Sequence, residues 1–180
     1  MNKFACASYF SRMKGPLFFV ALCVFASPSC KETDANNKSI PSIVGEENGG
    51  DFRGSMMGDE VKEVLAREAD NVVYNMPDEI TCRIPLEMKD STFYEVSYNF
   101  DRGLLNAIKL DLYPGNEGGT QRLLAEFSEY YTRRYGQAEL KENTKSWVAR
   151  GSRGRDVIVS MQITDNESNP RLRITFIEKQ

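Results

Sequence analysis

Residues 92–113, "TFYEVSYNFDRGLLNAIKLDLY", alternate apolar and polar side chains almost without a break. Tyr94, Val96, Tyr98 and Phe100 stand on one parity, and Glu95, Ser97 and Asn99 on the other. After Asp101, Arg102 and Gly103 the pattern resumes, with Ile108, Leu110 and Leu112 set against Lys109 and Asp111. Successive side chains of a strand point to opposite faces, so a period of two demands a sheet with one buried and one wet face. Gly103 suits the turn because it takes positive φ without a steric penalty. The same alternation returns in "KSWVARG", "RDVIVSMQIT" and "PRLRITFIEK". There Val157, Val159, Met161 and Ile163, then Leu172, Ile174 and Phe176, are the inner residues. "EITCRIPLEM" reads as a further strand, with Cys82 a small buried hydrophobe.

Helical spacing occurs twice. In "GDEVKEVLAREA", Val61, Val64 and Leu65 make one stripe, with acids in the first turn. In "GGTQRLLAEFSEYYTRRYG", residues 118–136, Leu124, Phe127, Tyr131 and Tyr135 follow the helical repeat. Thr120 is the expected N-cap, Arg133 and Arg134 suit the last turn, and Gly136 suits the C-cap. Each helix is followed by strands, at a spacing of roughly 65 residues that suggests a degenerate repeat. The expectation is therefore an α+β two-layer sandwich of tandem α-β-β-β repeats. Its sheet is antiparallel, with both helices on one face.

Ahead of this domain stands an export signal. Lys3, Arg12 and Lys14 precede an apolar run, "PLFFVALCVFA", residues 16–26, which is shorter than the ~18 residues of a membrane span. Met13 is a second possible start. Cys30 follows where the apolar run gives way to charge, in "SPSCKETD". The segment resembles a bacterial lipoprotein signal, which implies cleavage before Cys30, lipidation of its thiol and a membrane anchor. Ser27 stands where such signals prefer leucine. "KETD", residues 31–34, resembles the acid-containing export signal that sends some Bacteroidetes lipoproteins to the cell surface. The division expected is a signal peptide over 1–29, lipidated Cys30 and a flexible tether over 30–51, and one domain over 52–180.

A short loop before the "DEVKEV" helix and then the spacing "Y.F....L..I.L.L" is similar to the small bacterial lipoproteins of the BamE type. "SMMGDEV" departs from the Gly-Met-Ser start common in that family. The tandem α-β arrangement resembles the β-lactamase-inhibitor-protein fold. A helix ending in "YYTRRYG" before a strand carrying Trp147 resembles uncharacterised Bacteroidetes lipoproteins. The likeness covers about residues 55–180 as a pattern and carries no functional residue over.

Composition narrows the chemistry. The chain has no histidine, which removes Ser-His-Asp and Cys-His catalysis and the usual base at neutral pH. Removing Lys3, Arg12 and Lys14 takes the formal charge from −3 to about −6, which argues against nucleic acid as a partner. Cys6 and Cys23 leave with the signal, so Cys82 alone remains beside Cys30 and no disulfide framework or cofactor site is expected.

Five places carry candidate function. Arg150, Arg153 and Arg155 in "RGSRGR" read either as an anion clamp or as a soluble hairpin turn. "PGNEGGT", residues 114–120, opens a helix as phosphate loops do but lacks their Lys-Ser/Thr ending, so turn and cap are preferred. Glu95, Asn99, Lys109, Asp111, Arg171 and Arg173, with Ser97, Ser160 and Gln162, share the outward parity as a solvated face or a binding platform. Glu95 and Asp111 on that face are the one candidate acid and base pair. Tyr130, Tyr131, Tyr135 and Trp147 read as core or as a sugar platform. "DST", residues 90–92, resembles a Bacteroidetes O-glycan acceptor.

The function expected is a lipid-anchored, non-catalytic binding module. It would act at the outer membrane, facing the periplasm or the cell surface, on an envelope protein or glycan. An inhibitor-like or outer-membrane assembly accessory is the alternative, ahead of a histidine-free hydrolase.

Overall fold

The computed structural model describes residues 40–88, 91–114, 116–164 and 170–179. The signal segment, Cys30, "KETD", the first part of the tether and Asp90 of "DST" lie outside the described residues. The strands are Val72–Met76 (β1), Glu79–Met88 (β2), Ser91–Asp101 (β3), Leu104–Leu112 (β4), Glu139–Lys141 (β5), Thr144–Arg150 (β6), Asp156–Thr164 (β7) and Arg171–Glu178 (β8). They form one sheet in the order β1-β2-β3-β4-β8-β7-β6-β5. Every neighbouring pair is antiparallel. The chain thus meanders inward from one edge to β4, and later inward from the other edge to β8, which docks on β4. With helices Ile40–Val44 (α1), Val61–Glu68 (α2) and Glu117–Tyr135 (α3), the class is α+β.

The alternating segments bury the parity that the pattern selects. Tyr94, Val96, Tyr98 and Phe100 on β3, and Ile108, Leu110 and Leu112 on β4, are buried. So are Val157, Val159 and Met161 on β7 and Leu172, Ile174 and Phe176 on β8. Tyr131 of α3 stacks on Tyr135 and meets Trp147 of β6 and Phe176 of β8 at ring distances of 5.5 and 6.3 Å. At the other end Tyr98 of β3 donates to Glu68 of α2 at 2.7 Å. Burying large aromatic side chains dominates the energetics of such a layer, and truncating one costs about 3–5 kcal/mol.

The structure departs from the sequence expectation in three places. α2 and α3 are each followed by four strands, not three, because β1 and β5 are added as short sheet edges. Four of the five residues of β1 and all three of β5 are exposed, so neither carries the alternation that marks a half-buried strand. Residues 40–51 are not free tether. Ile43 and Val44 of α1 are buried in the core, with Ile40 packed against it, the i, i+3, i+4 spacing of a helical stripe. Finally, α3 starts at Glu117 with Asn116 as its cap, whose Oδ1 accepts from the Gly119 amide at 2.7 Å. Thr120, the expected cap, lies inside the helix, and its hydroxyl donates back to the Asn116 carbonyl at 3.1 Å. Gly136 ends the helix at φ 90, with its amide donating to Thr132 at 3.0 Å.

Candidate functional site

The outward parity of the sheet assembles into rows, because in-register strands set equivalent residues side by side. Arg83, Glu95, Asp111, Arg173 and Gln162 are successive partners across β2, β3, β4, β8 and β7. Thr144 of β6 extends the row by donating to Gln162 at 3.0 Å. Within the row, Arg83 donates to Glu95 at 2.7 and 3.1 Å. Arg173 grips Asp111 with two parallel bonds of 2.7 and 2.9 Å, the fork geometry that makes Arg–carboxylate pairs strong. Arg171 stands 3.6 Å from the same carboxylate and also donates to Thr164 and Tyr113. The Tyr113 hydroxyl in turn donates to Glu95 at 3.3 Å, closing the network.

The electrostatics follow from these contacts. The hydrogen bond to Asp111 raises the Arg173 pKa above its ordinary value. Burial pushes the Tyr113 phenol up, so it serves as a neutral donor. Phe93 lies under the Arg83 guanidinium at 4.7 Å and against Tyr113 at 5.2 Å, which holds the end of the row rigid. Glu95, Asp111, Arg171 and Arg173 are therefore brought together. Glu95 and Asp111 are adjacent, but each is engaged by an arginine on its far side, in the order Arg83, Glu95, Asp111, Arg173, and they are not arranged around a cleft.

The next row holds Thr81, Ser97, Lys109, Thr175, Ser160 and Ser146. The row after that runs Glu79, Asn99, Ala107, Ile177, Ile158 and Val148. Lys109 and Asn99 are thus on the same face, one and two rows from Asp111. Asn99 donates to the Ser97 carbonyl at 3.4 Å. Sequence reasoning missed the apolar end of this third row, where Ile177 and Val148 are exposed. The signal was present, since Ala107, Ile158, Ile177 and Val148 share the parity of Lys109, Ser160, Arg173 and Ser146.

The three arginines of "RGSRGR" do not converge. Arg150 pairs with Asp156 at 3.1 Å, Arg153 with Asp59 at 2.6 Å and Arg155 with Glu178 at 2.9 Å. Nearby carboxylates on three different elements divide them, and the segment is a hairpin turn closed by Gly151 donating to the Arg155 carbonyl at 2.7 Å. Within "PGNEGGT", Asn116 serves as the helix cap, and a Cβ at Gly119 would stand 2.9 Å from Pro114. Tyr130, Tyr131 and Trp147 are buried, so they are core side chains and not a sugar platform.

Two buried carboxylates also escaped the sequence reading. Asp59 accepts from Arg67, from Arg153 and from the Met56 amide. Glu68 accepts from Arg53, Tyr98 and Asn71, and Arg53 also donates to Tyr94 at 3.0 Å. Glu68 falls four residues after Val64, on the apolar stripe of α2, and that position is the signal that marks it as buried. Burial raises the Tyr98 phenol well above its ordinary range and the Cys82 thiol to about 12.

Among the described residues, no group of three or more metal-ligating side chains is gathered, and no helix is long and apolar enough to cross a membrane. A cavity of about 100 Å³ between α3 and the β6–β7 turn is lined by Asp51, Arg134, Tyr135, Gly151 and Phe176. Both Asp51 oxygens are already occupied, by the amides of Ser152 and Met57. Set against family models, curated proteins and solved structures, the chain matches none.

Proposed function

We propose that this chain is a lipid-anchored envelope module that binds a protein or glycan partner, without catalysis, through the open face of its sheet. The observation that carries this reading is the polar row from Arg83 to Thr144, charged from Arg83 to Arg173. It crosses six strands, and five steps of ~4.8 Å spread it over about 24 Å, the footprint of a macromolecule. Mixed charge over a rigid sheet favours specificity, and the adjoining apolar row of Ile177, Ile158 and Val148 offers area to bury. The anchor is Cys30, and the location is the outer membrane, facing the periplasm or the cell surface.

The arrangement of the helices supports a finer reading of the fold. Ile80, Tyr98, Ile108, Phe176, Val159 and Trp147 form one buried row across six strands. α2 meets this row at Tyr98, and α3 meets it at Phe176 and Trp147. We read the domain as two helix-plus-meander units with their helices on the same face, an arrangement similar to BamE-type lipoproteins and to the β-lactamase-inhibitor-protein fold.

Two measurements test the proposal. Cys30→Ala should release the protein from membranes and abolish incorporation of labelled palmitate; membrane association without label in the wild type sinks the anchor. The full chain and its Arg173→Gln variant should differ as baits in envelope extracts, with a partner retained by the first and lost from the second. Equal retention removes the open face from the reading.

A further inference from the structure

The sheet has two edges, and the one formed by β1 is unusually bare. Its sequence, "VVYNM", contains no charge and no proline, two of the devices that natural edge strands use to refuse a further strand. Val73, Tyr74 and Met76 are 56%, 49% and 47% exposed, three of the seven large hydrophobics exposed among the described residues. β1 pairs with β2 alone, and the register shifts between Val72 and Tyr74. Its outer edge therefore presents main-chain donors and acceptors beside apolar side chains, with Tyr74 and Met76 set opposite Thr81 and Glu79.

Charge at the two ends says what fits. Asp70 precedes the strand and Asp78 follows it, both exposed. Among the described residues neither has a cationic partner, and Glu79 adds a third carboxylate opposite Met76. A second copy is a poor match. Antiparallel pairing of two β1 strands about Tyr74 places Asp70 of one against Asp78 of the other at both ends, and like charges directly opposed are destabilising.

We propose that the β1 edge is a binding site, distinct from the open face, that takes an extended polypeptide segment as a ninth strand, apolar at its centre and basic at both ends. Main-chain hydrogen bonds supply affinity, alternate side chains pack beside Tyr74 and Met76, and the terminal cations meet Asp70 and Asp78. At ~3.4 Å per residue, β1 spans about 17 Å, which matches a segment of about five to seven residues.

The probe is a short fluorescein-labelled peptide of alternating valine and threonine with a lysine at each end, titrated into the full chain. It should bind at least about tenfold more tightly than the same peptide ended in glutamates, since two ion pairs replace two repulsions. Amide exchange should slow at residues 72–76 on binding. Asp70→Asn with Asp78→Asn should erase the preference while leaving the melting transition in place. Equal affinity for the two peptides, or protection located elsewhere, overturns the site. A dimer in sedimentation equilibrium whose β1 amides are protected without peptide overturns the choice of occupant. None of these readouts uses the open face, so loss of that reading leaves this one standing, and the reverse.

Discussion

The two edges of the sheet occupy comparable places and are built differently. β1 and β5 each follow a helix, each begin a meander and each pair with one neighbour. β5 is three residues, with Leu140 held between Glu139 and Lys141. Any strand added there would bring its backbone against two charges for very few hydrogen bonds. β1 is longer and has no charge at all. Leu140 is 68% exposed, yet it lines a groove with Leu124 and Ile163 beneath α3 and is part of that surface. Topology creates both edges equally, and only the residues decide which one stays shut. An edge left open in this way is a cost unless something uses it.

The largest effect is expected where β1 is tied down. Asn71, just before the strand, donates to Glu68, which also holds Arg53 and Tyr98. Glu68→Ala leaves Arg53 without its carboxylate and should cost about 3–5 kcal/mol in urea unfolding. It should also loosen β1 ahead of β5. Cys82 is the partner of Val72 and fully buried, so its alkylation, located by peptide mass mapping, reports β1 peeling away. In the wild type it should stay unmodified at pH 8. The sign above that pH is set by the raised thiol pKa. Between about pH 9 and about 12 the unfolded chain loses this proton and the folded one keeps it, so the contribution to stability falls as pH rises. Alkylation of the variant only in step with global unfolding would show that the two edges are not separately anchored.

A middle-sized effect separates the arginines of the β6–β7 turn. Asp59 joins Arg67 of α2 to Arg153 of the turn, and so ties the side of the molecule that carries β1 to the side that carries β5. Arg153→Ser should cost about 1–2 kcal/mol, because a buried carboxylate loses a charged hydrogen bond. Arg150→Ser and Arg155→Ser, at exposed pairs, should each stay within about 0.5 kcal/mol. Equal costs for all three would return the turn to a single unit, as a clamp requires.

The contrast between edges also explains what the sequence could tell. β3, β4, β7 and β8 were legible because one face of each is buried, and burial is what writes a period of two. β1 and β5 were not, since an exposed edge imposes no alternation. The polar face was readable by parity, so Glu95, Asp111, Arg171 and Arg173 were placed on one surface. Their closure into a ladder was not, because it depends on the docking of β8 against β4, which no local pattern records. Arg150, Arg153 and Arg155 stayed divided between clamp and hairpin turn for the same reason: adjacency in sequence does not record that their partners Asp156, Asp59 and Glu178 come from separate parts of the fold.

The smallest change in stability should give the sharpest view of the edges. Tyr74→Lys and Leu140→Lys each place one charge on an exposed edge residue, and each should alter the unfolding free energy by no more than about 0.5 kcal/mol. Their effects on association should differ. At β1 a lysine puts charge where an added strand must pack, as natural guarded edges do, and repels a basic-ended peptide. Binding of the lysine-ended peptide should therefore fall about tenfold for Tyr74→Lys and stay unchanged for Leu140→Lys, where Glu139 and Lys141 already do this work. If both variants weaken the peptide alike, the charge on β5 is not what closes that edge. If neither does, the peptide sits off the sheet, and the bareness of β1 is a property of the fold without a use.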